Sequence, residues 1–290
     1  MVTLLQIAEE NVRTHLFDNP SRIVIVGLGE NMRQRQISAI MGRSPQSQNR
    51  LYVVEDRILK TEAYDPAKVE DPSLIIYNVM RSKGAIQIIG NGDQTDTTIT
   101  GMTDTTSKAF FEALRTRHCE PDAPNFTPRI TGYQSSMCPW VVALSVLKAD
   151  PFAKEHWIKT ARESGLTKDH FKRSDMKPGE IEEEYKLAID RLAGLDHHAF
   201  PTVRDEFIRG VEPGLGYMIT TYMPGHEQLP SFQGEPLLVP LKGTLEESMQ
   251  YFWGALEHRP DTNFRVAVGG REIDQNSVVR FADPINRFNR

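Results

Sequence analysis

"RIVIVGLGENMRQRQISAIM", residues 22–41, contains two apolar, β-branched runs, 22–27 and 36–41, parted by a mostly polar connection. Each run is too short for an ordinary helix and is bounded by turn-forming residues, so each reads as a strand. The same signature recurs as "RLYVVE" (50–55), "SLIIYNVM" (73–80) and "AIQIIG" (85–90), and later as "GYMITTYM" (216–223), "PLLVPL" (236–241) and "FRVAVGG" (264–270). Helices do not alternate with the first five runs, which argues against a doubly wound parallel sheet and for antiparallel pairing. Gly27-Leu28-Gly29 follows the first strand, but the third glycine of a dinucleotide fingerprint is missing and no helix begins there.

Helical periodicity is found elsewhere. Leu4, Leu5, Ala8, Val12 and Leu16 predict an amphipathic helix over 3–17, and Phe110, Ala113 and Leu114 mark one over about 104–117. Residues 140–210 read as charge-rich and helical, with an apolar stripe of Ile181, Tyr185, Ala188, Ile189 and Leu192 and with Glu182, Glu183 and Glu184 as its solvated face. Thr244 and Glu247 form a capping-box pattern that opens a helix over 244–256. Strands, then helices, then strands again predict one α+β domain over 1–290. Its N-terminal helix would occupy 1–18 and a charged helical insertion about 150–205.

Composition narrows the function. With 39% hydrophobic residues in 290 there is enough for a proper core, and a net charge of -5 argues against a nucleic-acid binder. No apolar run approaches the length of a membrane span and no export signal opens the chain, so the cytoplasm is the expected address. Cys119 and Cys138 are then expected to stay reduced. His197 and His198 are adjacent and have no carboxylate at ligand spacing, so no metal site and no cofactor is predicted. There is no GxSxG elbow for an α/β hydrolase.

Polar residues gather at strand ends. "MGRSPQSQNR" (41–50) packs Arg43, Ser44, Asn49 and Arg50 into one short connection, a set that suits an anionic, hydrogen-bond-rich ligand with phosphate as the first guess. "IYNVMR" (76–81) offers Tyr77, Asn78 and Arg81, and "GNGDQTDT" (90–97) offers Asn91, Gln94 and Asp96 on a backbone freed by glycine. "CEPDAPNFTPRITG" (119–132) brings Glu120, Asp122, Asn125, Thr127 and Arg129 into a loop stiffened by prolines. Any one of these would fit an ordinary turn. Four of them in the first half of one chain suggest a site.

Taken in order, "MGRSPQSQNR", "LIIYNVMR", "NGDQTD", "EPDAPNFTPRI", "GYMITTY" and "LPSFQGEP" resemble the IMP cyclohydrolase family of the single-activity type, over roughly 20–148 and 210–270. The resemblance implies a four-layer αββα sandwich of mainly antiparallel sheets, like that of N-terminal-nucleophile hydrolases but without a self-processed nucleophile. It also implies a hydrolase of cyclic amidine C–N bonds that works in purine biosynthesis. The reaction would close 5-formamido-imidazole-4-carboxamide ribotide to IMP with loss of water.

On this reading Arg43, Arg50 and Ser44 would meet the phosphate, and Arg43 or Tyr77 would polarise or protonate the formyl oxygen. Glu120 would take or relay a proton, oriented by Arg129, with Asp96 and Asp122 as rival acids. Asn49, Asn78, Asn91, Gln94, Asp96, Asp122, Thr127 and Arg129 would complete the substrate site. The expected partner is the ribotide, with IMP as product, and a homo-oligomer is expected. Compact relatives lack the N-terminal helix and most of the 150–205 segment, which could be a lid, an oligomer contact or the mark of a changed substrate, or simply a solvated surface. An amide hydrolase with a nucleophile exposed by self-cleavage, or a non-catalytic nucleotide-binding relative, are the competing functions.

Overall fold

The computed structural model describes residues 2–17, 19–69, 75–196, 199–223, 230–256 and 263–288. Strand β1 (Ile23–Leu28) is buried along its whole length, and its alternation explains why the run is apolar without interruption. Ile23 and Ile25 point to one core, while Val24, Val26 and Leu28 point to another on the opposite face. Successive side chains of a strand point to opposite faces, so a strand covered on both sides is apolar at every position.

Around β1 the described strands form two antiparallel sheets. The first has the order β11 (Leu237–Pro240), β10 (Leu215–Thr220), β1, β2 (Gln34–Met41), β12 (Arg265–Ile273), β13 (Val279–Phe281), with β14 (Ile285–Asn286) also on β12. The second runs β3 (Arg50–Glu55), β4 (Ile58–Ala63), β5 (Asn78–Lys83), β6 (Ile86–Gly90), β7 (Arg129–Ser135), β8 (Cys138–Ala149), β9 (Thr202–Gly210).

The sheets face each other across a core in which Val24, Val26 and Ile219 of the first meet Ile89, Ile130 and Leu144 of the second. Side-chain amides cross that core: Gln34 Nε2 donates to Ser135 O (2.9 Å), Gln134 Nε2 to Gly27 O (2.8 Å) and Gln36 Nε2 to Gln87 O (3.3 Å). Helices α1 (Leu4–His15) and α7 (Leu245–Ala255) cover the outer face of the first sheet through Val12, Leu245, Met249 and Phe252. Helices α3 (Gln94–Gly101) and α4 (Ser107–Ala113) cover that of the second through Ile99 and Phe110. Among the described residues no helix is long and apolar enough to cross a membrane.

Both expected helix starts are in place: Thr244 accepts from Glu247 N at 3.1 Å as the capping box requires, and α1 carries a capping box at Thr3. The 140–210 segment is corrected. Among the described residues only α5 (Pro151–Glu163), a short 3₁₀ turn and α6 (Pro178–Ala193) are helical there, and the flanks are the long strands β8 and β9. An unbroken apolar run such as "VVALSVL" is equally that of a buried strand or a buried helix, and periodicity alone does not separate them. The 90–97 and 119–132 stretches, read as connections, partly enter α3 and β7. The pair His197–His198 and the start of the 73–80 run lie outside the described residues.

Candidate functional site

Antiparallel neighbours bring the start of one strand beside the end of the next, so the polar stretches meet. Met41 ends β2 where Arg50 begins β3; Thr220 ends β10 beside the start of β1; Gly90 ends β6 beside the start of β7. At this end of the two sheets lies a cleft of about 1000 Å³. Arg22, Arg43, Ser44, Arg50, Glu120, Asp122, Thr127 and Tyr222 line it, together with residues of α6.

The 41–50 stretch is tightly built. Ser44 caps the short helix α2 (Pro45–Gln48), accepting from Ser47 N at 3.1 Å, and a Cβ on Gly42 would fall 2.5 Å from the Ser47 carbonyl. Only glycine fits that turn. It leaves Arg43 exposed at the cleft, while Arg50 is buried, donating to Ser47 O (2.9 Å) and Met41 O (3.3 Å). No described carboxylate forms an ion pair with Arg50, and burial, reinforced by the nearby Arg22 charge, lowers its pKa from the ordinary arginine value. A buried guanidinium without a counter-ion at a cleft wall is a site for an anion.

Glu120 and Asp122 form the acidic side. Glu120 is 4% exposed, and its Oε2 lies 2.6 Å from Arg22 Nη2, whose Nη1 donates to Asn91 O at 2.8 Å. Burial works to lower the Arg22 pKa, but the charge of Glu120 and their hydrogen bond outweigh it and hold the pKa above its ordinary value. Asp122 Oδ1 accepts from Thr127 N at 2.6 Å, its Oδ2 accepts from Thr127 Oγ1, and that hydroxyl lies 2.8 Å from Tyr222 Oη. Burial first, and then the charge of Glu120, push the Asp122 carboxyl up to about 7. Asp122 therefore holds its proton to a higher pH than an ordinary carboxyl does.

Tyr77 stands just behind the cleft. It is buried, and its hydroxyl has no hydrogen-bond partner among the described residues. Asn91 and Gln94 form a buried support under Glu120: Asn91 Nδ2 donates to Pro128 O (2.9 Å) and Gln94 Nε2 to Asn91 Oδ1 (2.8 Å). Here Gly92 is needed, since a Cβ would sit 2.6 Å from Gln94 Oε1 and 3.4 Å from Glu120 Oε1.

The other expected residues are placed elsewhere. Asn49 is bound to the backbone of Asp65, accepting from its N at 2.7 Å and donating to its O at 2.8 Å. Asn78 and Arg81 both bond Asp96 in a cluster between β5 and α3. Arg129 does not orient Glu120: it bonds Asp93, Gln94 Oε1 (3.2 Å) and His118 O (2.9 Å), and Arg22 takes the role expected of it.

Sequence reasoning missed Arg22 and Tyr222. Arg22 heads the most apolar strand of the chain, and the break from charge to "IVIV" was the signal it offered. Among the described residues no group of His, Cys, Asp or Glu is arranged to hold a metal ion, and both cysteines are free.

A family model for "IMP cyclohydrolase-like protein" matches residues 20–268, which include the whole of this cleft. The chain belongs to that family. No curated protein matches it. For this member of the IMP cyclohydrolase-like family, the bounds of the match enclose the α5–α6 segment.

Proposed function

We propose that the protein is an IMP cyclohydrolase, closing 5-formamido-imidazole-4-carboxamide ribotide to IMP with loss of water. The observation that carries this reading is Arg50, a buried cation with no ion-paired carboxylate among the described residues, in one cleft with Arg43, Glu120 and Asp122. Such a cleft suits a ligand with a phosphate at one end and exchangeable protons at the other. Two antiparallel sheets between outer helices are also the arrangement expected of the αββα fold of N-terminal-nucleophile hydrolases, and we assign the chain to it.

In the proposed chemistry the phosphate sits against Arg50, Arg43 and Ser44. The carboxamide nitrogen attacks the formyl carbon, forming the C–N bond, and the formyl oxygen gains negative charge before it leaves as water. An amide nitrogen is a weak nucleophile, so positioning and charge stabilisation supply most of the rate. The Tyr77 hydroxyl, which has no hydrogen-bond partner among the described residues, stabilises the developing oxyanion. Glu120, held by Arg22, accepts the proton from nitrogen. Asp122, whose carboxyl keeps its proton up to about pH 7, protonates the oxyanion to a hydroxyl. Glu120 then passes its proton to that hydroxyl, which leaves as water, while the formamido N–H proton is lost to Asp122 as the ring C=N bond forms.

The test is direct: the formylated ribotide is added to purified protein and ring closure is followed by absorbance. Turnover supports the reading. IMP binding without turnover would instead leave a nucleotide-binding relative.

A further inference from the structure

Helix α6 turns one face to the cleft. Gly179, Glu182, Glu183 and Lys186 line it, and offsets of three, four and seven residues put these positions on one side of a helix. The adjoining side sends Ile189 into a cluster with Trp157, Phe126 and Phe200, against which Tyr185, itself at the cleft, also packs. This cluster fastens α5 and α6 to the loop that carries Glu120 and Asp122. Lys154 of α5 adds a direct tie to that loop, its Nζ donating to Asn125 O at 2.6 Å.

Lys186 lies at the border of the two sides. It lines the cleft and is only 5% exposed. Its Nζ is 2.5 Å from Asp190 Oδ2, and the fully buried Asp190 accepts a second hydrogen bond from Trp157 Nε1 at 2.7 Å. A buried ion pair is a poor way to stabilise a fold, because desolvating two charges offsets most of their attraction and apolar residues of equal volume do as well or better. Its place at a cleft that already holds Arg43 and Arg50 gives the ammonium another use.

We propose that Lys186 contacts the anionic part of the ligand, so that the α5–α6 hairpin supplies a cation to the site. Asp190 and Trp157 are the positioning residues that fix the ammonium at the wall. The inference rests on the ribotide reading of the cleft and adds a residue to it: beside Arg43 and Arg50, Lys186 strengthens the preference for a phosphorylated nucleoside over the same nucleoside without phosphate.

The test measures IMP and inosine binding by calorimetry on the full chain. Lys186→Gln removes the charge. The double variant Lys186→Gln, Asp190→Asn removes both charges of the pair together, and its circular dichroism is checked against the wild type. The expected result for both is a loss on the order of tenfold or more in IMP affinity, as for a lost charge-assisted contact, with inosine affinity unchanged. Asp190→Asn alone keeps the ammonium but loosens it, and a smaller loss confined to IMP is expected. Unchanged IMP affinity in the double variant, or an equal loss for both ligands, overturns the proposal. Wild-type protein that binds inosine as tightly as IMP, or binds neither, overturns the ribotide reading as well.

Discussion

Arg22 Nη2 stands 2.6 Å from Glu120 Oε2, joining the head of β1 in one sheet to the loop before β7 in the other. The two side chains are 98 residues apart in sequence, and both are largely buried, at 12% and 6% side-chain exposure. Removing one partner of such a pair strands the other charge. Arg22→Met is therefore expected to cost roughly 3 kcal/mol of folding stability, read from urea unfolding, and to lower kcat beyond any change in IMP binding. A variant as stable and as active as wild type would show that the pair neither holds the sheets nor orients Glu120.

The two carboxylates are predicted to differ in kind. Glu120→Gln, nearly isosteric, should lose on the order of 10²–10⁴ in kcat, the usual worth of acid–base catalysis, with IMP affinity little changed. Asp122→Asn should lose a similar factor. Steady-state cyclisation beside product binding separates the roles: if rate and IMP affinity fall together for Glu120→Gln, that residue is a ligand contact only.

Asp122 also links stability to pH. Its folded-state pKa, about 7, lies above that of the unfolded chain, so between roughly pH 4 and 7 the folded state holds a proton that the unfolded state has released. Stability from this group is fully present at the acid end and is lost as pH rises through 7. Asp122→Asn cannot lose that proton, so its melting temperature relative to wild type should climb between pH 4 and 8. A difference that stays flat across that range would contradict the assignment.

Arg43 and Arg50 should both matter for affinity, but not equally for folding. Arg43→Ala is expected to weaken IMP binding by about 2 kcal/mol, as for a lost charge-assisted hydrogen bond, and to leave stability unchanged because the side chain is exposed and forms no hydrogen bond or ion pair with the described residues. Arg50→Ala should weaken binding at least as much and also destabilise, since Ser47 O and Met41 O lose their donor. Calorimetry showing wild-type affinity in both variants would remove the phosphate from this end of the cleft.

Much of the fold was legible because burial and sequence pattern agree. "IVIVGL" is apolar at every position and is covered on both faces, and the Thr244–Glu247 pattern forms the cap it predicts. The polar 41–50 and 119–132 stretches both reach the cleft, contributing Arg43, Ser44, Arg50, Glu120, Asp122 and Thr127.

What stayed hidden depends on pairing across the chain. Arg129 is near Glu120 in sequence but bonds Asp93, while the true partner, Arg22, carries no local mark of it. Strand β8 was hidden by its own burial, which erases the period of two. Helix α6 reads as a solvated charged face through Glu182, Glu183 and Glu184, and its sequence does not set Lys186 and Asp190 apart from such surface charges. Only the fold shows that Lys186 and Asp190 are buried.

The glutamines that cross between the sheets have a mechanical consequence. Gln34, Gln36 and Gln134 each donate to a main-chain carbonyl of the facing sheet, so they act as dowels set across the direction in which the layers would slide. Side chains at the rim inherit that stiffness, because Arg22 and Glu120 belong to different layers and any shear would pull them apart. Adjustment to a ligand must then come from the parts that are not doweled, the helical hairpin and the α2 turn, while the floor beneath them keeps its spacing.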